Sequence, residues 1–124
     1  MQINSFAAVF PVSNLDAALQ FYVDFLGFQE EFRFGQYAGI QRDACRIHLS
    51  QHGNPNAGPP GSGAAYIFCD EVDSYFAEIT SRGATVDAEP KDYPYGLRDF
   101  IARDPDGNQV TFGAPCKGNE VLGK

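Results

Sequence analysis

Apolar residues in the first part of the chain recur at the spacing of one helix face. The positions are Leu15, Ala18, Leu19, Tyr22 and Leu26. Asn14 is a good helix N-cap, and Gly27 can adopt the left-handed conformation that ends a helix. The pattern therefore predicts a helix between Asn14 and Gly27. Strand-like alternation surrounds it at residues 5–12, 28–34, 37–41 and 46–50.

The same order of elements is predicted a second time. Val72, Tyr75, Phe76 and Ile79 repeat the helical spacing, and Gly83 stands where a second helix would end, 56 residues after Gly27. Strand-like segments accompany this helix at residues 64–69, 84–88, 99–103 and 109–113. Each half of the chain therefore has the predicted order β-α-β-β-β.

The last two predicted strands are joined by a turn whose chemistry can be seen in its residues. The sequence there is Asp104-Pro105-Asp106-Gly107-Asn108. Pro105 fixes φ, Gly107 tolerates a positive φ, and the Asp and Asn side chains can bond to their own backbone. The segment from residue 99 to 113 is therefore predicted to be a β-hairpin.

The repeat suggests how the chain is organised. We predict a first module at residues 1–52, a Gly- and Pro-rich connector at 53–63, a second module at 64–114 and a loose tail at 115–124. A half of this size has one helix, which can cover only one face of its sheet. We therefore expect one α+β domain, in which two tandem β-α-β-β-β modules form curled mixed sheets around a cavity.

Dimer formation is a further expectation, because such a cavity can also form between modules of different chains. Pro11 interrupts the first predicted strand and cannot donate a hydrogen bond to a ladder. It therefore suits an edge strand or the hinge of an exchanged N-terminal arm.

Composition narrows the classes of function. Nine basic residues against 16 acidic ones give a net charge of −7, which disfavours a nucleic-acid partner and mildly favours a cationic ligand. The chain has no apolar run near the roughly 18 residues of a membrane span, and no signal peptide is visible. Cys45, Cys69 and Cys116 are an odd number without a close pair, so we expect reduced thiols in a cytoplasmic protein.

The duplicated plan resembles the vicinal oxygen chelate superfamily of glyoxalase I, ring-cleaving dioxygenases and bleomycin resistance proteins. Within it, the chain is most similar to the bleomycin resistance group. The resemblance runs from Phe6 to Phe112 and rests on residues 21–22, 26–28, 37–43, 46–50, 65–68, 72–73 and 95–112.

The resemblance also indicates where a metal would be bound. Superfamily enzymes hold a divalent metal with His, Glu or Gln side chains on inner strands of both modules. Here these positions are Ala7, His48, Ala64 and Thr111. A catalytic site needs about three protein ligands. His48 alone does not suffice, and His52, next to the connector, could be a second ligand only by chance. We therefore expect no metal or other cofactor.

Cys45 and His48 are three residues apart on a strand, so their side chains point to opposite faces, which disfavours a Cys-His nucleophile.

The resemblance implies a ligand groove at a dimer interface, where aromatic rings sandwich a flat ring system. It places the sandwiching rings at Tyr37 and Tyr95. Phe32 and Tyr93 can extend an apolar wall, as can Phe34 and Phe68, although Phe32, Phe34 and Phe68 are more simply read as core. The polar residues assigned to the groove are Glu31, His48, Ser50 and Asp99. The alternative for each carboxylate is a solvated surface charge, and for His48 it is a histidine whose hydrogen bonds are satisfied in the interior or the pocket.

Three functional hypotheses follow. The leading one is a non-catalytic homodimer that sequesters a flat cationic drug of the bleomycin type. The second is a metal-dependent glyoxalase or dioxygenase of the same superfamily, so enzyme activity is disfavoured but left open. The third is a metal-free homologue that binds an unrelated metabolite. No membrane or nucleic-acid partner is expected.

Overall fold

The structure, a computed structural model, describes residues 1–51 and 58–117. Within these ranges the elements are β1 (Ala8–Pro11), α1 (Leu15–Leu19, continued by a π-helix at Gln20–Phe25), β2 (Gln29–Phe34), β3 (Tyr37–Arg42), β4 (Cys45–Ser50), β5 (Ala64–Phe68), α2 (Val72–Ser81), β6 (Lys91–Asp92), β7 (Leu97–Arg103) and β8 (Gln109–Pro115). Three parts of the chain lie outside the described residues: His52, the first half of the predicted connector (residues 53–57) and most of the predicted tail.

The strands form two four-stranded sheets with the same topology. Their orders are β1-β4-β3-β2 and β5-β8-β7-β6. In each sheet the first strand of the module runs parallel to the last, and the remaining pairs are antiparallel. The predicted α+β fold with two β-α-β-β-β modules is therefore confirmed. β1 is an edge strand, as the position of Pro11 suggested.

Both predicted helices are present with the expected ends. The Asn14 side chain accepts a hydrogen bond from the Ala17 N–H at 2.9 Å, and Gly27 and Gly83 have φ values of +82° and +98°. The first helix changes character after one turn, because residues 20–25 form a π-helix with wider hydrogen-bonded turns.

One predicted strand is wrong. Residues 84–88 contribute only an isolated bridge between Val86 and Ala102, and pairing resumes as the short strand β6. The sequence between them contains Pro90, which has no N–H to donate to the β7 ladder. The edge of the second sheet is therefore interrupted, whereas β2 is continuous apart from one bulge.

A single hydrophobic core joins the two modules. Each helix packs on one face of its own sheet, and the buried side chains form one cluster that includes Tyr22, Ile40 and Leu49 from the first module and Ile79 and Phe100 from the second. The hydroxyl of Tyr75 donates to the carbonyl of Leu26 at 2.6 Å, which links α2 to the end of the first helix. No helix in the described ranges has the length and apolar character needed to cross a bilayer.

The Asp104–Asn108 turn connects the modules with buried polar contacts. Asp104 Oδ1 accepts the N–H groups of Asp106 and Asn108 at 2.9 Å each, so the turn does bond to its own backbone as predicted. Its other oxygen accepts the Tyr22 hydroxyl of the first module at 3.0 Å. Gly107 has a φ of +96°, as the turn requires.

Asn108 extends this connection to the beginning of each module. Its side-chain amide donates to Asp104 Oδ2 at 2.7 Å and to the Pro11 carbonyl at 2.9 Å, and its oxygen accepts the Gly63 N–H at 2.7 Å. Asn108 has no exposed surface. Both of its N–H donors and its oxygen are therefore engaged, and they hold β1 and the start of β5 against the turn.

Replacing Asn108 with Ala should lower the free energy of unfolding by about 3 kcal/mol, because buried partners lose their hydrogen bonds. Urea unfolding followed by circular dichroism measures the loss. Asn14→Ala is the control, since it removes a single exposed N-cap bond and should cost about 1 kcal/mol. Equal losses at the two positions would contradict a central role for Asn108.

Stability should also fall at alkaline pH. Burial and the neighbouring Asp104 carboxylate raise the pKa of Tyr22, and burial raises the pKa of Tyr75 to about 12. Above the unfolded pKa of about 10, the unfolded chain loses these protons while the folded chain keeps them. Each such group therefore lowers the free energy of unfolding by up to about 1.4 kcal/mol per pH unit until its folded pKa is reached.

Urea unfolding at pH 8, 10 and 11 would measure this dependence. Tyr22→Phe should be less stable than the wild type at pH 8, because it loses the hydrogen bond to Asp104, but its stability should fall less steeply between pH 10 and 11. Parallel pH curves for the two proteins would show that Tyr22 does not contribute.

Candidate functional site

The two sheets each have one face that the core does not cover. In the first sheet, Phe10 of β1 is buried while its neighbour Val9 is exposed. In the second sheet, Phe68 of β5 is 64% exposed. We call the uncovered surfaces the first open face, which carries Val9 and His48, and the second open face, which carries Tyr66 and Thr111.

A row of paired residues crosses the first open face. Val9 pairs with His48, His48 with Gly39, and Gly39 with Phe32. The Phe32 ring occupies the space that a Cβ atom at Gly39 would need. The absence of a side chain at residue 39 therefore lets this ring lie flat on the sheet.

Three predicted site residues, Phe32, Tyr37 and His48, meet on this face. The Tyr37 hydroxyl lies 2.9 Å from His48 Nδ1, the Phe32 and Tyr37 rings are stacked with centroids 6.2 Å apart, and the Phe32 ring meets His48 edge-on at 5.2 Å. When the hydroxyl donates, Nδ1 is the acceptor and the neutral imidazole has its proton on Nε2. His48 is thus oriented by a tyrosine within an aromatic cluster.

Glu31 and Ser50 lie beside this cluster. A bulge in β2 interrupts the pairing between Glu30 and Phe32, and the Glu31 carboxylate contacts Arg46 Nε at 3.3 Å. Ser50 is buried and pairs with Tyr37 in the β3–β4 ladder. Arg46 was not among the predicted site residues, and its guanidinium partly neutralises the charge of the Glu31 carboxylate.

The second open face carries a buried carboxylate. Asp99 is 5% exposed, and its Oδ2 atom accepts the Tyr66 hydroxyl at 2.7 Å and the Tyr95 hydroxyl at 2.6 Å. The Tyr93 and Tyr95 rings stack in parallel with centroids 5.3 Å apart. Three predicted site residues, Tyr93, Tyr95 and Asp99, are therefore adjacent. Within residues 1–51 and 58–117, no Lys or Arg forms an ion pair with Asp99.

Both tyrosine hydroxyls are held in the donor state. Desolvation and the hydrogen bond to Asp99 raise the pKa of Tyr95 to about 12, although about half of the residue's surface is exposed. The same two causes raise the pKa of Tyr66. At neutral pH the two hydroxyls are protonated and can donate to the carboxylate.

Tyr66 was missed by the sequence analysis. Its hydroxyl lies over Gly113, in the space that a Cβ atom there would fill. The alternation of Ala64, Tyr66 and Phe68 placed these residues on a common face, which was the available signal.

The interpretation of Phe32, Phe34 and Phe68 as core residues is wrong. These residues are 39%, 85% and 64% exposed, because they belong to the part of each sheet that no helix covers. They are therefore available as apolar surface on the open faces.

The residues at the four positions implied for metal binding do not form a metal site. Ala7 lies two residues before Val9, the partner of His48, and Ala64 lies two residues before Tyr66, the partner of Thr111. The positions are thus equivalent in the two modules, but neither alanine side chain has a donor atom. No group of three or more His, Cys, Asp or Glu residues comes together in the described part of the chain. His52 lies outside it.

The two clusters are separate within one chain. Among the described residues, no hydrogen bond or aromatic contact joins the Phe32–Tyr37–His48 cluster to the Asp99 cluster. Each open face therefore presents its own set of aromatic and polar groups.

Two solved structures of ligand-binding proteins are similar to this chain. An antibiotic-binding protein from Streptomyces sp. CB03234, TnmS3, is 28% identical with a TM-score of 0.76, and the match covers 93% of this chain and 98% of the other. The bleomycin-binding protein of Streptomyces verticillus, solved with copper(II)-bleomycin, is 27% identical with a TM-score of 0.75 and covers 94% and 99%.

An enzyme has the same fold. Lactoylglutathione lyase from Agrobacterium tumefaciens is 22% identical with a TM-score of 0.75, and the match covers 92% of this chain and 96% of the enzyme. No curated protein sequence matches the chain. The model of the glyoxalase/bleomycin resistance protein/dioxygenase superfamily matches residues 2–112, nearly the whole chain. The chain therefore belongs to this superfamily.

Proposed function

We propose that this protein binds a flat, cationic small molecule without transforming it, and that it protects the cell by keeping the concentration of the free molecule low. The observation that carries the proposal is the second open face, where the buried Asp99 carboxylate lies beside the stacked rings of Tyr93 and Tyr95. A carboxylate and parallel aromatic surfaces suit a ligand that is both positively charged and planar.

Aromatic contacts would supply part of the affinity. Tyr37 and Phe32 on the first open face and Tyr95 on the second offer partly exposed rings. Each ring pair contributes about 0.5–1.5 kcal/mol beyond the apolar area that it buries, and a cation over a ring adds a comparable amount. Sequestration needs at least low-micromolar binding, about −8 kcal/mol.

Asp99 would supply orientation. Both tyrosine hydroxyls bind its Oδ2 atom, and no side chain among the described residues donates to Oδ1, so Oδ1 can accept from a donor group of the ligand. A hydrogen bond to a charged group contributes about 1.5–3 kcal/mol. The net charge of −7 would also favour the approach of a cation.

A second copy of the chain would complete the groove. The two open faces expose Val9, Phe34 and Phe68 to solvent. If the first face of one chain lies opposite the second face of its partner, two equivalent grooves form about a twofold axis and these side chains become covered. The homodimer and the cytoplasmic location remain predictions.

The relatives support the ligand class without naming the ligand. TnmS3 is described as an antibiotic-binding protein, and the protein of Streptomyces verticillus was solved with copper(II)-bleomycin bound. The residues at the four implied metal positions favour binding over the chemistry of the enzymes, because Ala7 and Ala64 offer no ligand atom. An unrelated metabolite of the same shape and charge is the alternative ligand.

Calorimetric titration of the purified protein with metal-free and copper-loaded bleomycin tests the proposal. We expect submicromolar to low-micromolar binding with one ligand per chain. Tyr95→Ala should weaken binding about tenfold by removing a ring, and Tyr95→Phe should weaken it less because the ring remains. Asp99→Asn should weaken it by about tenfold or more, whereas the matched substitution Asp24→Asn on the exposed side of the first helix should not.

The metal content of the same preparation and its sedimentation should be measured in parallel. A dimer is expected, and dilution to monomer should reduce affinity. A stoichiometric transition metal together with lyase activity would contradict the proposal. If Asp99→Asn and Tyr95→Ala each bind the ligand as strongly as the wild type does, the ligand lies elsewhere.

A further inference from the structure

A pocket of about 860 Å³ lies where the two modules meet. Its walls are the β3–β4 turn at residues 42–45, the end of β5 and the following residues at 66–71, and the exposed side of α2 at residues 74–78. Tyr66 and Phe68 connect it to the second open face, but neither Asp99 nor His48 lines it. We call it the junction pocket. Small-molecule sites often lie at such module boundaries and have comparable volumes.

The inner walls of the junction pocket are apolar. Phe28 and Phe112 are buried behind it, and the rings of Phe6 and Phe68 are largely exposed at its sides. Arg42 is the only basic residue among the described residues that line it. Its guanidinium donates to the Leu26 carbonyl at 2.8 Å and lies 5.0 Å from the centre of the Tyr75 ring, so this cation already belongs to the wall.

The rim of the junction pocket is acidic. Glu78 is paired with Arg82 at 2.9 Å. Asp43, Asp70 and Glu71 also line the pocket, and in the described residues none of them forms a salt bridge. Three carboxylates without a basic partner around an apolar interior create a negative potential at its mouth. The charge is complementary to a cation and repels an anion.

Two cysteines line the same pocket. Cys45 and Cys69 are free and half-buried, and Cys116 is not among the lining residues. Burial raises the pKa of the Cys45 thiol, and burial together with Asp70 raises that of Cys69. At neutral pH both thiols are protonated, add apolar surface and react slowly with electrophiles.

We propose that the junction pocket is a second binding site, which takes a monocationic amphiphile. The apolar body of such a molecule lies against Phe6 and Tyr75, and its cationic head lies among Asp43, Asp70 and Glu71. This site shares Tyr66 and Phe68 with the second open face but contains neither Tyr95 nor Asp99. Its ligand needs a compact apolar chain rather than a planar ring system.

The two pocket thiols allow a test that does not require the natural ligand. The protein is labelled with iodoacetamide, and the alkylation rate of each cysteine is followed by mass spectrometry. Decyltrimethylammonium below its micellar concentration should slow the labelling of Cys45 and Cys69 about threefold or more, while Cys116 is unaffected. Decyl sulfate, which has the same chain and the opposite charge, should protect much less.

Variants of the rim then show whether the acidic charges, and not only apolar contacts, contribute to binding. The double variant Asp43→Asn and Glu71→Gln should raise the half-protecting concentration of decyltrimethylammonium about fivefold. Both residues have a positive φ, and asparagine tolerates this conformation well at position 43. The matched control, Asp24→Asn with Glu89→Gln, makes the same charge change away from the pocket and should leave protection unchanged.

Several outcomes would overturn the proposal. Equal protection by the two amphiphiles, or an unchanged response in the double variant, would show that the acidic rim does not select a cation. Protection already present without amphiphile, and lost on dilution of the protein, would show that a second copy fills the pocket. Asp99→Asn should not alter the protection, so failure of this site and failure of the proposed groove can be distinguished.

Discussion

The buried hydrogen bonds of the Asp104–Asn108 turn determine how the two modules fit together. The turn belongs to the second module, yet Asp104 binds the helix of the first through Tyr22, and Asn108 binds the end of β1 and the start of β5. Because these groups are out of contact with water, each lost partner carries a desolvation cost. The polar turn thus fixes the relative position of two sheets that the shared hydrophobic core alone would hold less specifically.

This fixed arrangement divides the molecule into two kinds of surface. The helix-covered faces carry the core, where small changes in volume are costly, while the open faces carry aromatic rings and polar groups that the fold itself does not require. Binding chemistry can therefore vary between relatives while the topology stays the same, which agrees with a superfamily that contains both binding proteins and a lyase.

Local patterns in the sequence predicted the elements except at the edge of the second sheet, where residues 84–88 form only a bridge and β6 lies at Lys91–Asp92. They did not predict the long-range contacts of the site. Helical spacing, glycine ends and the Asp-Pro-Asp-Gly turn predicted both modules. The alternation in β5 could not show which face stays open, because Ala65 and Ile67 are as apolar as Tyr66 and Phe68. The bond from Tyr66 to Asp99 joins residues 33 apart and depends on strand register, and the pairing of Glu31 with Arg46 depends on a bulge. Neither has a local signal.

The two glycines beneath aromatic rings have a consequence for evolution of the open faces. Gly39 lies under Phe32 in the first module, and Gly113 lies under the Tyr66 hydroxyl in the second. Any side chain at either position would lift the ring away from the sheet and make that surface shallower. Mutation at a residue without functional groups could therefore change the size of molecule that each face admits, while every charge and hydrogen-bonding group remains in the sequence.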